Sequence, residues 1–138
     1  MFSRMTVRGF TLLELLVVIV IIGLLAGYVA PRYFSQIGKS EVKVARAQID
    51  AFEKSIETYR IDNGHYPSTE QGLNALMQAS PGEVKWQGPY LKKSVPPDPW
   101  GQLYQYRHPG AHGDYDIWSA GRDGQSGGVG EDADITNW

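Results

Sequence analysis

The chain has 138 residues, which is enough for one small domain and one further segment. Its formal net charge of -2 at pH 7 lacks the basic excess that is typical of nucleic-acid-binding proteins, so we expect no nucleic acid partner. There is no cysteine, and this excludes a disulfide framework. Composition therefore leaves a small domain whose role must be read from patterns along the chain.

An apolar run extends from Phe10 to Ala30. About twenty helical residues, each rising about 1.5 Å, span the hydrocarbon core of a bilayer, which is roughly 30 Å thick. Arg4 and Arg8 precede the run, and positive charge at that position holds the amino end in the cytoplasm. The pattern predicts a single membrane-spanning helix, with the rest of the chain on the far side of the membrane.

Glu14 is the one charged residue inside this apolar run. A carboxylate at membrane depth costs about 2.5 kcal/mol or more and usually marks a functional pairing, so we expect a partner for it. Gly23 and Gly27 form a small-xxx-small pair, which either lets neighbouring helices approach closely or is simply tolerated in a membrane helix. Both readings of the glycines stay open from the sequence.

The string RGFTLLELLVVIVIIGLLA, residues 8–26, resembles the amino-terminal signature of type IV pilins and pseudopilins, in which a prepilin peptidase cuts after the glycine. The resemblance implies cleavage between Gly9 and Phe10, methylation of the new terminus, and Glu14 as the fifth residue of the mature chain. The new α-amino group would be largely protonated near neutral pH. In a stack of subunits, this ammonium would meet the Glu14 carboxylate of a neighbour and set the register.

Beyond Pro31, which predicts a kink or local melting, the pattern changes to that of an amphipathic helix over residues 32–61. A stop is predicted at residues 62–64, where Asp-Asn-Gly follows. Apolar residues recur at spacings of three and four and should face a core. They are Val42, Ala45, Ile49, Phe52, Ile56 and Tyr59.

Short elements follow this helix. Residues 69–79 predict a second helix with Thr69 as its cap and Leu73, Leu76 and Met77 facing inward, and the proline-rich residues 88–101 predict an irregular connection. Aromatic-rich runs at 103–107 and 115–119 predict two antiparallel strands, with a third edge at 135–138. We therefore predict an α+β fold, in which a long helix packs its apolar stripe on a small antiparallel sheet.

The segments TEQGLNAL, GPYLKKSVPPDPWGQLYQY and SAGRDGQSGGVGEDADITNW are similar to those of the major, G-type pseudopilins of the type II secretion system. The resemblance covers essentially the whole chain. It implies a leader peptide at 1–9, a transmembrane and assembly helix at 10–31, and a periplasmic head at 32–138. The alternative is a type IV or competence-type pilin that forms a surface filament, although type IV pilins commonly carry a disulfide that this chain cannot make.

The resemblance implies a structural subunit with no catalysis of its own. Subunits would leave the bacterial inner membrane and polymerise into a periplasmic fibre that drives folded proteins across the outer membrane. Implied partners are other copies of the chain, the prepilin peptidase, the minor pseudopilins and the inner-membrane assembly platform. An enzyme is the weaker hypothesis, because His65, His108 and His112 have no spacing that indicates a metal or a nucleophile pair. His108 and His112 flank a Pro-Gly pair and are interpreted as solvated turn residues.

Residues 119–134 form a loop rich in glycine and aspartate, which we call the acidic loop. Composition alone favours a solvated turn. The resemblance to major pseudopilins, which bind calcium in this loop, instead implies a Ca²⁺ site, and flexible glycines would let carbonyl groups join the carboxylates as ligands. Arg122 departs from the expected pattern, which has a small residue there. The predicted ligands are Ala120, Asp123, Gln125, Asp132 and Asp134.

Overall fold

The structure is a computed structural model that describes residues 8–138. Contacts between residues divide the chain into two units, with the boundary between Ile37 and Gly38. Helix α1 (Leu12–Asn63) runs through this boundary. Of the predicted leader, only Arg8 and Gly9 fall in the described part, so the division into leader, membrane helix and head stays a prediction. The compact head begins at Gly38, somewhat after the predicted start at residue 32.

The first part of α1 exposes its apolar side chains on all sides. The Glu14 amide donates to Thr11 Oγ1 at 3.2 Å, which satisfies one of the free amides at the start of the helix. Among residues 8–138, α1 alone is long and apolar enough to cross a membrane, and none of its most apolar stretch is buried by the protein. Pro31 lies inside the helix, so the predicted local melting is wrong. Only one hydrogen bond is lost at a proline, and the neighbouring turns continue.

The second part of α1 is amphipathic, as predicted. Ala45, Ile49, Phe52, Ile56 and Tyr59 are buried in the core of the head, and Val42 packs at its edge. The predicted stop is also confirmed. α1 ends at Asn63, and Gly64 adopts a left-handed φ of 82° while its amide donates to the Arg60 carbonyl at 2.8 Å. Glycine takes this conformation without a steric penalty, which is why it ends so many helices.

The sheet has three antiparallel strands in the order β1 (Gln105–Arg107), β2 (Asp116–Ser119) and β3 (Ile135–Thr136). Tyr106 of β1 pairs with Ile117 of β2, and both side chains are buried in the same core as the α1 stripe. The predicted α+β fold is therefore confirmed. The strands are shorter than predicted.

The helix predicted at residues 69–79 is wrong in type and length. Gly72–Leu76 forms a 3-10 helix, and its buried residues include Leu73 and Leu76, as predicted. Thr69 does not cap it. Instead, Thr69 Oγ1 donates to the His108 carbonyl and accepts from the His108 amide, both at 3.0 Å, because the end of β1 offers it a better partner than the helix does. A second 3-10 helix, Gly130–Asp132, lies in the acidic loop and was not predicted.

Candidate functional site

The predicted cleavage site lies in exposed backbone before α1 begins. Gly9 and Phe10 are exposed and non-helical, and together with Arg8 and Glu14 they line one shallow surface depression. Within residues 8–138, a Cβ atom added at Gly9 would meet nothing within 4 Å, and the residue does not have a left-handed φ. The fold itself therefore does not require glycine at position 9, which leaves the requirement to whatever recognises the site.

Glu14 lies exposed in the first full turn of α1. The ion pairs formed within residues 8–138 do not include it. Gly23 and Gly27 are further along the same helix, and a Cβ atom added at either would meet nothing within 4 Å. Contacts inside the described part of the chain thus give no reason for the carboxylate or for the two glycines, and a contact with another helix remains available to all three.

Arg122 closes the acidic loop through its guanidinium group. Its Nε and Nη2 atoms donate to the two carboxylate oxygens of Asp132, at 2.9 and 3.1 Å, and Nη1 donates to Glu131 Oε2 at 2.9 Å. The hydrogen bond with Asp132 is the main cause that raises the pKa of Arg122. Planar fork-to-fork pairs of this kind are the most directional ion pairs in proteins. A predicted calcium ligand, Asp132, is therefore engaged by a cation of the chain itself.

The other predicted ligands have separate local contacts. Asp123 Oδ1 accepts from the Gln125 amide at 3.0 Å, and Asp134 Oδ2 accepts from the Gly127 amide at 3.1 Å. Ala120 directly follows β2 and is partly buried. Among residues 8–138, no three His, Cys, Asp or Glu side chains lie close enough together to hold one metal ion. The structure thus places the ligands on one loop without gathering the three carboxylates into a cluster.

Two observations indicate that the loop suits a cation. Asp134 Oδ1 is buried and has no hydrogen-bond partner within the described part of the chain, which leaves a carboxylate oxygen to be satisfied. The Arg122 guanidinium already holds a positive charge against the loop. Carboxylate and carbonyl oxygens are the ligands that Ca²⁺ prefers. The donor set therefore fits calcium, and the calcium site stays a prediction.

Backbone approach at Gly121 keeps the two ends of the acidic loop together. Gly121 has a φ of 71°, and a Cβ atom added to it would lie 2.8 Å from the carbonyl oxygens of Asp132 and Ala133. Any side chain at this position would push the two backbone segments apart. Glycine is therefore required both by the left-handed φ and by the lack of room for a Cβ atom. The Arg122 amide, next along the chain, donates to the Glu131 carbonyl at 2.9 Å.

Asp98 holds the start of the acidic loop through hydrogen bonds, a role that the sequence did not indicate. It follows the irregular residues 88–97, and its Oδ1 atom accepts from the amides of Trp100 and Gln102 at 3.1 and 2.8 Å. Its Oδ2 atom accepts from the Ser119 hydroxyl at 2.7 Å, and Ser119 in turn accepts from the Gly121 amide. The proline-rich connection therefore fixes the position at which the acidic loop starts.

Glu131 joins the acidic loop to α1. A Cβ atom added at Gly38 would overlap the Glu131 carboxylate, so this side chain lies directly on the helix backbone. The contact was also missed by sequence reasoning. Its only signal was a glycine inside an otherwise regular helical pattern, since such a glycine often marks a close approach.

A second charged cluster surrounds Asp116, which is buried. Its carboxylate accepts from the Arg107 guanidinium, from the amides of Ala111 and His112 at 2.9 and 3.2 Å, and lies 3.1 Å from His112 Nδ1. Burial raises the pKa of Asp116, but the hydrogen bonds from Arg107 and the loop outweigh this and hold the pKa well below its usual range. His112 also stacks on Trp138 at 3.9 Å, so it has specific partners and is not simply a solvated turn residue.

The protein leaves the apolar part of α1 uncovered, and the same helix continues into an apolar stripe that packs on a small antiparallel sheet. These two features define the class of pilin-like, membrane-anchored subunits. Comparison with known proteins gives the family. The chain belongs to the family described as type II secretion system protein G, which matches residues 32–138, and the prokaryotic N-terminal methylation motif matches residues 4–30. The chain is thus a pseudopilin, and a surface-filament pilin is not favoured.

Relatives match over nearly the full chain. The type II secretion system core protein G of Pseudomonas aeruginosa is 44% identical over 139 residues, covering 99% of this chain and 98% of its own length. The protein of the same name from Escherichia coli is 45% identical over 134 residues, with 95% and 90% covered. A crystal structure of the major pseudopilin of enterohaemorrhagic Escherichia coli matches with a TM-score of 0.64 and 35% identity, covering 76% of this chain and 92% of that one.

Proposed function

We propose that this pseudopilin polymerises through α1 into a periplasmic fibre, whose growth drives the export of folded proteins across the outer membrane. The uncovered apolar part of α1 carries the proposal. An apolar surface of this size has to be covered by lipid or by other helices, and the two coverings correspond to the subunit before and after assembly. The role is structural, with no catalysis by the chain itself.

Before assembly, the subunit would cross the inner membrane once, with its amino end in the cytoplasm and its head in the periplasm. Arg8 ahead of the apolar helix supports this orientation. A prepilin peptidase would cut between Gly9 and Phe10, and the new terminus would be methylated. The exposed, non-helical backbone at this bond supports access by a peptidase. The minor pseudopilins and the inner-membrane assembly platform would then be the further partners.

Glu14 would set the register between subunits by pairing with the amino terminus that cleavage creates on a neighbour. The closeness of Phe10 and Glu14, which line the same depression, places the two groups of each subunit at the same end of α1. Gly23 and Gly27, where an added Cβ atom would meet nothing within 4 Å in residues 8–138, would let adjacent helices approach. Inside a stack of apolar helices, each charge then gains the partner that it lacks in lipid.

We also propose that the acidic loop binds one Ca²⁺ ion in the mature head, through Asp123, Asp132 and Asp134 with the carbonyls of Ala120 and Gln125. The bound ion would supply positive charge and join the two ends of the loop. The unpartnered Asp134 oxygen and the oxygen-rich donor set support the assignment.

Changing Glu14 to leucine tests the assembly proposal. The variant should insert into the membrane as well as the wild type, because it removes a charge from the bilayer. Fibre yield should fall more than a hundredfold, since an uncompensated buried ammonium costs roughly 3 kcal/mol or more. Membrane fractionation measures insertion, and electron microscopy of sheared fibres together with an export assay measures assembly.

Glu14→Asp is the matched control for this experiment. It keeps the negative charge on a shorter side chain and should retain part of the fibre yield. Normal fibres and normal export by Glu14→Leu would overturn the pairing.

A further inference from the structure

We propose that Arg122 regulates the calcium site by competition: its guanidinium and a calcium ion contend for the carboxylate of Asp132. The inference rests on the calcium site proposed above and states how that site is controlled.

The competition follows from the contacts of Asp132. Both of its oxygens accept hydrogen bonds from Arg122, at 2.9 and 3.1 Å, in one planar pair. A calcium ion that shares this carboxylate would lie beside a guanidinium with the same sign of charge. The two cations repel each other at such short range, so the ion binds best when the guanidinium has left Asp132.

The guanidinium has a second partner to which it can move. Nη1 already donates to Glu131 Oε2 at 2.9 Å, and the backbone of Arg122 is held by its hydrogen bond to the Glu131 carbonyl. Glu131 itself is placed against Gly38 of α1. Release from Asp132 therefore requires only rotation of the Arg122 side chain, with the backbone of the loop and the contact to α1 unchanged.

The Arg122 side chain is 56% exposed, so more than half of its surface is in contact with water. Water and salt screen an ion pair at such a position, which makes it a weak competitor. We therefore expect Arg122 to lower the affinity for calcium by about two- to fivefold, without preventing binding. The site would then respond at higher calcium concentrations than the same loop without the arginine.

Calcium titration of the full-length chain in nonionic detergent tests the proposal. Isothermal titration calorimetry with calcium chloride gives the dissociation constant for the wild type and for Arg122→Gln. Arg122→Gln should bind calcium about two- to fivefold more tightly. In the presence of chelator the same variant should melt at a lower temperature than the wild type, because it lacks the ion pairs with Asp132 and Glu131.

Two further variants make the result specific. Arg46→Gln removes the same charge from an exposed position on α1 and should bind calcium as the wild type does. Arg122→Lys keeps the charge without the planar fork and should fall between the wild type and Arg122→Gln.

Equal or weaker calcium binding by Arg122→Gln would overturn the competition while leaving the calcium site intact. If neither the wild type nor Arg122→Gln binds calcium, the calcium site itself fails, and the competition fails with it. These outcomes are distinguished by whether at least one of the two proteins gives a binding isotherm.

Discussion

Asp116 shows how one buried carboxylate organises a loop. Its partners come from β1, through Arg107, and from the backbone of the turn at Ala111 and His112. Each hydrogen bond stabilises the ionised form of the carboxyl group, and this keeps its pKa low in spite of burial. The loop between β1 and β2 is therefore held by a charge that depends on pH.

Asp116→Asn should destabilise the head by about 2–3 kcal/mol at neutral pH, because the Arg107 guanidinium loses its charged partner. The pKa of Asp116 is lower in the folded than in the unfolded chain, so its stabilisation is complete above the unfolded pKa of about 3.9 and is lost as the pH falls from there toward the folded pKa. The gap between wild type and variant should narrow below about pH 4. Thermal melts of the full-length chain in detergent at pH 7 and at acid pH measure it.

The exposed neighbour Asp114 provides the control for this pH effect. Asp114→Asn makes the same chemical change two positions away and should leave both the stability and its pH dependence nearly unchanged. A stability gap for Asp116→Asn that stays constant from neutral to acid pH would refute the assigned role.

At the scale of elements, sequence patterns correctly predicted those features of the helices and strands that depend on residues close together in the chain. The stripe from Ala45 to Tyr59 and the stop at Gly64 follow from helical periodicity and from the conformational freedom of glycine, so both could be found from sequence. The helix at 69–79 was wrong because Thr69 bonds to His108, which is distant in sequence. Strand ends were likewise shortened by contacts that no short window contains.

The residues of the candidate sites also fall into two groups, those that a short sequence motif indicates and those that only the fold brings together. Gly9, Phe10 and Glu14 lie within a few residues of one another, so a linear motif was sufficient to find them. The contacts of Asp98 with Ser119, and of Glu131 with Gly38, join segments far apart in the chain. Arg122 could be noticed as an unexpected cation in the acidic loop, but its partners are set by the fold of that loop.

Gly38 has a reason for being glycine that differs from those of the other glycines in α1. Replacing a helical glycine by alanine normally stabilises by up to about 1 kcal/mol. At Gly38 the new methyl group would displace the Glu131 carboxylate, so we expect Gly38→Ala to give little or no gain in the wild-type chain. In a Glu131→Ala background, where space is available, the same substitution should stabilise by roughly 0.5–1 kcal/mol.

A double-mutant cycle of thermal melts measures this coupling between helix and loop. Glu70→Ala, an exposed carboxylate elsewhere in the head, provides the control background in which Gly38→Ala should behave as in the wild type. An equal effect of Gly38→Ala with and without the Glu131 side chain would show that the contact between Gly38 and Glu131 does not affect stability.

At the scale of the whole molecule, the proposed processing would convert a membrane precursor into a subunit with a new charge. Gly9→Val should leave the fold and the insertion unchanged, since no atom of the described residues 8–138 lies within 4 Å of the added Cβ atom. Cleavage should nevertheless be blocked if a peptidase needs an unhindered backbone there. Intact-mass measurement of protein from membranes that contain an active prepilin peptidase should find residues 1–9 retained.

Thr11→Ser serves as the comparison for processing, because it changes a residue beyond the bond but keeps the hydroxyl that caps α1. This variant should lose its leader as the wild type does. Efficient removal of the leader from Gly9→Val would contradict the assigned cleavage site.

The uncovered apolar surface of α1 also has a consequence for the energy that the proposed assembly needs. Lipid tails are about as apolar as the side chains of neighbouring helices, so transfer from the bilayer to a stack of helices gains almost nothing from the hydrophobic effect. In the proposed assembly, the ion pair at Glu14 and close packing at the glycines are the contacts that would favour the stack. Transfer of a subunit from the bilayer to the fibre therefore changes its free energy very little, because it replaces one apolar environment by another. A subunit would return to the membrane as readily as it leaves. Fibre growth would therefore be reversible unless an external source of energy drives it.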